Sequence, residues 1–545
     1  MKFNRVLSFA VLAAAASVAV AQIKSSDPLV ASPSVAVVAT EAGSVQGFVH
    51  RGIFTYRGIP YAQAARFMAP EKPASWEGVR TALTYGPICP QVQAQQYNDV
   101  AEFMMPHRIW VESDNCQNLN VWTPGINDGS KRPVMVWFHG GGFTNGSAIE
   151  QVVYDGESLA RKGDVVVVTV NHRLNVLGFL DLAAYGPQYK NSGNVGIMDL
   201  VASLEWVKAN IARFGGDPAN VTIFGQSGGG GKVATLMSLP SAKGLFHKAV
   251  IESGGVFLQD PKAARHVAEL TLKNLHLDPS QVDQLQKIPY KELNEAGDKA
   301  LMEAGKESGH QGLMGRATLS WSPVADGEYL PMQSSDRALT ALNKDVPLMV
   351  GSTQNEFAAF AALMDPRMKD SASWSEAQAK DYLRKQYGDK TDAVVAALKK
   401  AYPKMKPGAW IAVDTLFRSG VLSIADGKAD QHGAPVYVYL FSWVSPIMDG
   451  MGMAPHCAEI PFVFNNVALD EQGTGGGSQA YAMAARTSQA WINFARSGNP
   501  GNQGLPPWPA YTRQNGATMV IDRLSHVVNN HDKELIELTK PNLAF

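Results

Sequence analysis

Apolar runs and amphipathic stretches alternate along most of the chain. Val134–Phe138 and Val165–Val170 are nearly continuous runs of apolar and β-branched residues. Such runs suit strands buried on both faces of a parallel sheet. Shorter β patterns at Val45–Val49, Phe54–Arg57 and Asn118–Trp122 precede or separate them, and Val221–Phe224, Lys248–Glu252, Pro347–Gly351 and Val436–Trp443 continue the series. Helical patterns fill the gaps. Gln151–Lys162 can form one helix. Over Ile197–Phe214, the residues Leu200, Leu204, Val207 and Ile211 share a stripe, and Gly215-Gly216 ends it. This alternation predicts an α/β fold with a central, mostly parallel, twisted sheet flanked by helices. Residues 260–345 and 366–430 interrupt it. They are polar and mostly helical in pattern, and read as insertions over the C-terminal edge of the sheet, where open α/β sheets bind ligands. Gly473–Ser478 reads as a flexible loop.

The start of the chain follows another rule. Lys2 and Arg5 precede the apolar run Val6–Val20, and Ala19-Val20-Ala21 offers the small residues that a signal peptidase reads. The run is too short to cross a bilayer comfortably. Residues 1–21 are therefore expected to be a signal peptide of bacterial style. Residues 22–545 are expected to be one catalytic domain, exported to the periplasm or the medium. No later segment reaches ~18 continuous apolar residues, so no membrane span is expected in the mature chain. The three cysteines fit export, since an oxidising compartment allows one bridge and leaves one thiol over.

Composition narrows the partners. Of the 545 residues, 45% are hydrophobic and 18% charged, an ordinary globular mixture. Lys and Arg number 48 against 49 Asp and Glu, for a net charge of −1. No global basic field exists to hold a polyphosphate, so no nucleic-acid partner is expected.

The pentapeptide Gly225-Gln226-Ser227-Gly228-Gly229 fits G-x-S-x-G. A strand pattern, Val221–Phe224, runs into it and a helix-compatible segment, Lys232–Leu239, follows. Strand, sharp turn and helix are what a nucleophile elbow needs. A phosphate loop is the rival reading, because Gly228–Gly231 precedes Lys232. That motif requires Gly and Ser/Thr where this chain has Gln226 and Val233, so it fails twice. His139-Gly140-Gly141-Gly142-Phe143 follows the strand Val134–Phe138. Its glycine N–H groups, with that of Gly228, can hold a developing oxyanion. A serine nucleophile needs a base, and the base an acid, in the order Ser, acid, His. His456, in the loop after Val436–Trp443, fits the base better than His432, which precedes that strand. Glu356, beyond Pro347–Gly351, is the expected acid, with Asp326 and Glu328 as the alternatives.

With these pieces stand Tyr56–Ala62, Asn118–Pro124, Asn171-His172-Arg173, Gly193–Gly196 with Asp199, Phe214–Pro218, Asp326-Gly327 with Leu330-Pro331, and Trp491–Pro500. Together they resemble the type-B carboxylesterase and cholinesterase family of α/β-hydrolases, over essentially the whole mature chain. The resemblance implies Ser227, Glu356 and His456 as the triad and Gly141, Gly142 and Gly228 as oxyanion donors. It implies a Cys89–Cys116 bridge, an Arg57–Asp114 ion pair at the base of that loop, and Ser253 supporting the acid. It also implies an acyl-enzyme route that needs no metal and no organic cofactor, with a small-molecule ester and water as partners. The oligomeric state is left open.

Two departures shape the expected substrate. The family usually has Glu before the serine and Ala after it; here they are Gln226 and Gly228. Without that carboxylate, attraction for cationic substrates weakens. Met104, Met105, Trp110, Met448, Met451 and Met453 lie near expected site elements, and methionine walls adapt to varied apolar groups. Uncharged alkyl or aryl esters are therefore expected. Rival readings are an amidase or peptidase with the same triad, and a non-catalytic binding protein. Cys457 beside His456 is either a buried inert thiol or an oxidisable one.

Overall fold

The computed structural model describes residues 28–92, 99–309, 319–333, 336, 338–357, 370–450 and 453–539. The expected signal peptide lies outside the described residues.

An 11-stranded sheet organises them. Its strands are β1 (Phe48–His50), β2 (Ile53–Pro60), β3 (Asn118–Thr123), β4 (Arg132–Phe138), β5 (Val166–Val170), β6 (Gly216–Gln226), β7 (Lys248–Glu252), β8 (Leu348–Thr353), β9 (Val436–Phe441), β10 (Ala517–Ile521) and β11 (His526–Asn529). Across the sheet the order is β11-β10-β9-β8-β7-β6-β4-β5-β3-β2-β1. The stretch from β10 to β5 is parallel throughout. Only the edges are antiparallel. A three-stranded sheet formed by Val37–Ala39, Ser44–Gln46 and Val79–Thr81 lies apart from it.

The apolar runs make central strands because each has two faces to bury. Val134, Val136 and Phe138 of β4 join one core cluster with Leu200, Leu204 and Val207 of helix α1 (Val195–Asn210). Met135 and Trp137, pointing the other way, join a second cluster. There they meet Trp491, Ile492 and Phe494, which lie in a C-terminal helix, Gly477–Ser497. Each such fully buried side chain contributes about 1.5–3 kcal/mol relative to an exposed one.

Several local expectations are corrected. Val45–Val49 is not one strand: Ser44–Gln46 and Phe48–His50 belong to different sheets, with Gly47 between them. A side chain at Gly47 would strike the Thr55 carbonyl oxygen, so the crossing needs glycine. Gln151–Lys162 is a 3₁₀ turn, Val152–Tyr154, followed by a helix over Glu157–Gly163. Gly473–Ser478 is not a loop. A short helix runs to Thr474, Gly475 and Gly476 turn at positive φ, and the long helix begins at Gly477.

The interrupting stretches contain the helices Pro261–Asn274, Tyr290–Glu307, Glu376–Tyr387 and Thr391–Ala401. Helix α3 (Leu416–Asp430) closes the second stretch. Residues 319–333 are largely irregular rather than helical. No helix among the described residues is long and apolar enough to cross a membrane.

Candidate active site

Neighbouring parallel strands end side by side, and the loops leaving their C-terminal ends carry the residues singled out by sequence. Phe138, the last residue of β4, pairs with Gly225 of β6. The His139–Phe143 loop and the turn at Ser227 therefore leave the sheet together. Ser227 adopts φ 58° and ψ −123°, a strained conformation for a non-glycine residue. The turn is held by its N–H, which donates to the Glu252 carbonyl at 2.8 Å. Glycines make it possible. A Cβ at Gly225 would lie 2.6 Å from the Phe138 oxygen, and one at Gly229 only 2.0 Å from it. Helix α2 (Gly228–Met237) starts directly after the serine.

The glycine loop folds back over this turn. Gly141 and Gly142 have φ of +77° and +63°. Both favour glycine. The N–H groups of Gly141, Gly142 and Gly228 meet no acceptor among the described residues. All three glycines, with Gln226, Ser227 and His456, line a cavity of about 1630 Å³.

Glu356 follows β8 and His456 follows β9. A bridge between Glu356 and Pro455 and a hydrogen bond from the His456 N–H to the Glu356 carbonyl (3.2 Å) tie the two loops together. His456 Nδ1 bonds Glu356 Oε2. The other carboxylate oxygen, Oε1, accepts from the Thr353 N–H at 2.8 Å and from Ser253 Oγ at 2.7 Å. The acid is thus held on both oxygens, and it is 1% exposed. Phe357 and Phe417 pack on the imidazole, with ring centroids 4.3 and 5.3 Å away. Ser227 Oγ and His456 share the cavity wall without a hydrogen bond between them. Instead Gln226 Nε2 lies 3.3 Å from His456 Nε2. Cys457 Sγ donates to Gln226 Oε1 at 3.1 Å, and burial among carboxylates raises its thiol pKa. That holds the sulfur as thiol, the less reactive form.

The other candidates lie elsewhere. Asp326 accepts from the N–H groups of Glu328 and Leu330, which is a turn, and Glu328 pairs with Lys190. His432 follows helix α3 away from the cavity. The Arg57–Asp114 pair is corrected. Asp114 pairs with Arg66 at 2.6 Å. Arg57 lies over the Tyr85 ring, 4.3 Å from its centroid, and 3.8 Å from Asp155. The aromatic face captures the guanidinium, and Arg66 is the cation within reach of the bridged loop. Cys89 and Cys116 form a disulfide. Met105 lines the cavity; Met104, Met105 and Met453 line a small pocket against His456. Met448 is partly exposed, and Trp110 packs edge-on against Tyr85 away from the cavity. Met451 lies outside the described residues.

Sequence reasoning missed two buried carboxyl groups behind this arrangement. Glu459 Oε1 lies 3.4 Å from Ser253 Oγ, and Glu252 Oε1 accepts from Trp491 Nε1 at 2.7 Å. Both residues are fully buried, and each has a second oxygen with no partner. Burial pushes Glu252 up to about 8, and burial with the neighbouring Glu252 and Glu356 raises Glu459 well above the usual carboxyl range. Burial and the charge of Glu356 likewise push Asp414 up to about 7. Burial thus favours the neutral form of both Glu252 and Glu459 behind Ser253. Glu252 adjoins Ser253 and Glu459 follows His456 closely, but nothing local told of their convergence.

The model of the carboxylesterase family matches residues 34–537. The para-nitrobenzyl esterase of Bacillus subtilis (strain 168) is 34% identical, over 91% of this chain and 97% of its own length. Phenmedipham hydrolase of Pseudarthrobacter oxydans is 32% identical, over 88% and 94%. Among solved structures, an esterase from the anaerobe Clostridium hathewayi that can hydrolyse aliphatic aromatic polyesters superimposes with a TM-score of 0.84 at 37% identity, covering 95% of this chain and all of that one. With the sheet, its flanking helices and almost the full length matched, the chain belongs to the carboxylesterase family, with the α/β-hydrolase fold, and is an ester hydrolase.

Proposed function

We propose that Ser227, Glu356 and His456 are the catalytic triad of a serine esterase acting on uncharged alkyl or aryl esters. The observation carrying this reading is the shared cavity: a strained serine, an imidazole gripped by a buried carboxylate, and three unpaired glycine N–H groups line one space. His456 Nε2 takes the Ser227 proton as Oγ attacks the ester carbonyl. This requires the two groups to close to hydrogen-bond distance, a tightening common on substrate binding. Glu356 holds the imidazole in the tautomer with Nε2 free to accept. Gly141, Gly142 and Gly228 donate to the tetrahedral oxyanion, each worth about 3–4 kcal/mol. Collapse expels the alcohol, which takes the proton from His456. Water, deprotonated by His456, then attacks the acyl-enzyme and releases the acid and Ser227.

Phe143, Val256, Leu258, Trp321, Phe357 and Phe417 give the cavity apolar walls. Its volume exceeds the usual 300–1,000 Å³ of small-molecule sites. Gln226 places a neutral amide where a carboxylate would attract cations. The names of the relatives, para-nitrobenzyl esterase and a hydrolase of aliphatic aromatic polyesters, support aryl groups as well. A panel of esters varied in acyl length, alcohol charge and ester against amide, with Ser227→Ala as blank, tests the reading. Neutral esters should dominate. Equal turnover by Ser227→Ala would overturn it.

Export completes the proposal. A basic start, the Val6–Val20 apolar run, the small residues at Ala19–Ala21 and a disulfide support removal of residues 1–21 from a single catalytic domain, 22–545. Sequencing the N-terminus of the mature protein checks it.

A further inference from the structure

Lys232 lies in helix α2, behind the glycine loop rather than in front of it. Its side chain is fully buried. Nζ donates to the His139 carbonyl at 2.7 Å and to the Gly140 carbonyl at 3.4 Å. The Phe143 ring lies 5.8 Å away. A buried ammonium is costly unless it is paired and hydrogen-bonded. The acceptors here are the carbonyls of the peptide units that carry the Gly140 and Gly141 N–H groups.

The geometry of the peptide unit gives this contact a consequence. The Gly140 carbonyl and the Gly141 N–H belong to one planar trans unit and point in opposite directions. A donor that holds the oxygen on the helix side therefore turns the N–H toward the cavity. The ring of His139 adds a second hold, with Nδ1 2.9 Å from the same Gly140 oxygen. A charged donor also polarises the amide, and hydrogen bonds in such a chain strengthen one another. The Gly141 N–H becomes a better donor at the moment an oxyanion forms.

We propose that Lys232 is a positioning residue of the ester hydrolase, aiming and polarising the Gly141 N–H through the Gly140 carbonyl, while its bond to the His139 carbonyl fixes the peptide unit just before it. This rests on the reading of Gly141 and Gly142 as oxyanion donors. The lysine does not touch substrate. Burial brings its pKa down to about 7, against the opposing pull of Glu150, whose own carboxyl burial raises. His139 and His172, stacked 5.2 Å apart beside it, are both held neutral by burial and by the Lys232 charge.

The test compares Lys232→Met and Lys232→Gln with the parent enzyme on one neutral ester. Binding of a trifluoromethyl ketone, which forms an oxyanion adduct at the serine, is measured beside its plain methyl ketone. Lys232→Met should lower kcat roughly tenfold to a hundredfold, leave KM within about twofold, and weaken the trifluoromethyl ketone by the same factor while sparing the methyl ketone. Lys232→Gln, a neutral donor, should fall between. Should the Met variant fail to fold, the Gln variant carries the same readouts. Wild-type kcat in the variants overturns the proposal. So does a loss that follows KM or the unfolding midpoint and leaves the ratio of the two ketones unchanged. A Gly142→Ala control separates the two readings. If it too retains full kcat, the oxyanion assignment has failed; if it alone is impaired, only the role of Lys232 has.

Discussion

Gly228 lies against the backbone of Gly142: a Cβ built on Gly228 would sit 2.2 Å from the Gly142 oxygen and 2.5 Å from its nitrogen. The family's usual alanine after the serine cannot fit here without moving the glycine loop. Gly228→Ala should therefore lower kcat about tenfold to a hundredfold by displacing an oxyanion donor, with little change in KM. Steady-state kinetics on a neutral ester, beside a denaturant titration to show the fold intact, checks it.

Gln226 brings an uncharged amide to both His456 and Cys457. Gln226→Glu would put a charge beside the reacting centre. The prediction is a rise in kcat/KM for a quaternary-ammonium ester relative to its neutral isostere. A Coulomb term of about 1 kcal/mol would change the ratio about fivefold. An unchanged ratio would mean that the amide does not set charge preference.

Ser253 Oγ donates to Glu356 from a backbone at φ 47°. Ser253→Ala removes that bond and leaves a buried carboxylate with one donor fewer. Hydrogen bonds to charged groups are worth about 1.5–3 kcal/mol. A fall in kcat of roughly tenfold is expected, with KM nearly constant. Stopped-flow measurement of acylation would place the loss in the chemical step.

The Glu252 carboxyl, held up at about 8 by burial, makes stability fall as pH rises. Below the ordinary carboxyl range the group is protonated folded and unfolded, so it adds no pH dependence there. Between that range and about 8 only the folded state keeps the proton. The unfolded state then gains by ionising, and stability drops by about 1.4 kcal/mol per pH unit for one proton. Glu252→Gln, which still accepts from Trp491, should gain stability over the parent steadily from pH 5 to pH 8. Urea unfolding at four pH values would show the two curves diverging; parallel curves would sink the assignment.

The legibility of this protein depends on distance along the chain. Ser227 could be read because strand, elbow and helix are contiguous, and Gly141 and Gly142 because they directly follow β4. His456 and Glu356 depended on a chain-order rule, together with strands whose apolar runs announced themselves. Pairings set by packing were hidden. Arg57 and Arg66 are equally basic in sequence, and only the Tyr85 face and the path of the bridged loop decide which reaches Asp114. Glu252 and Glu459 read as ordinary charged residues until the sheet stacks them behind Ser253. Lys232 reads only as the lysine of a failed phosphate loop at the start of a helix until the glycine loop closes over it.

The wall around Ser227 is assembled from the ends of β4, β6, β8 and β9, with Gln226 and His456 separated by 230 residues yet in contact. Long-range closures of this kind come late in folding, because their loop entropy is met before their contacts reward it. Regained turnover after dilution from denaturant should accordingly lag behind the far-ultraviolet signal. In this enzyme, activity is a clock for the last step of self-assembly, and a nascent chain that has emerged only as far as β8 carries the serine but not yet its base.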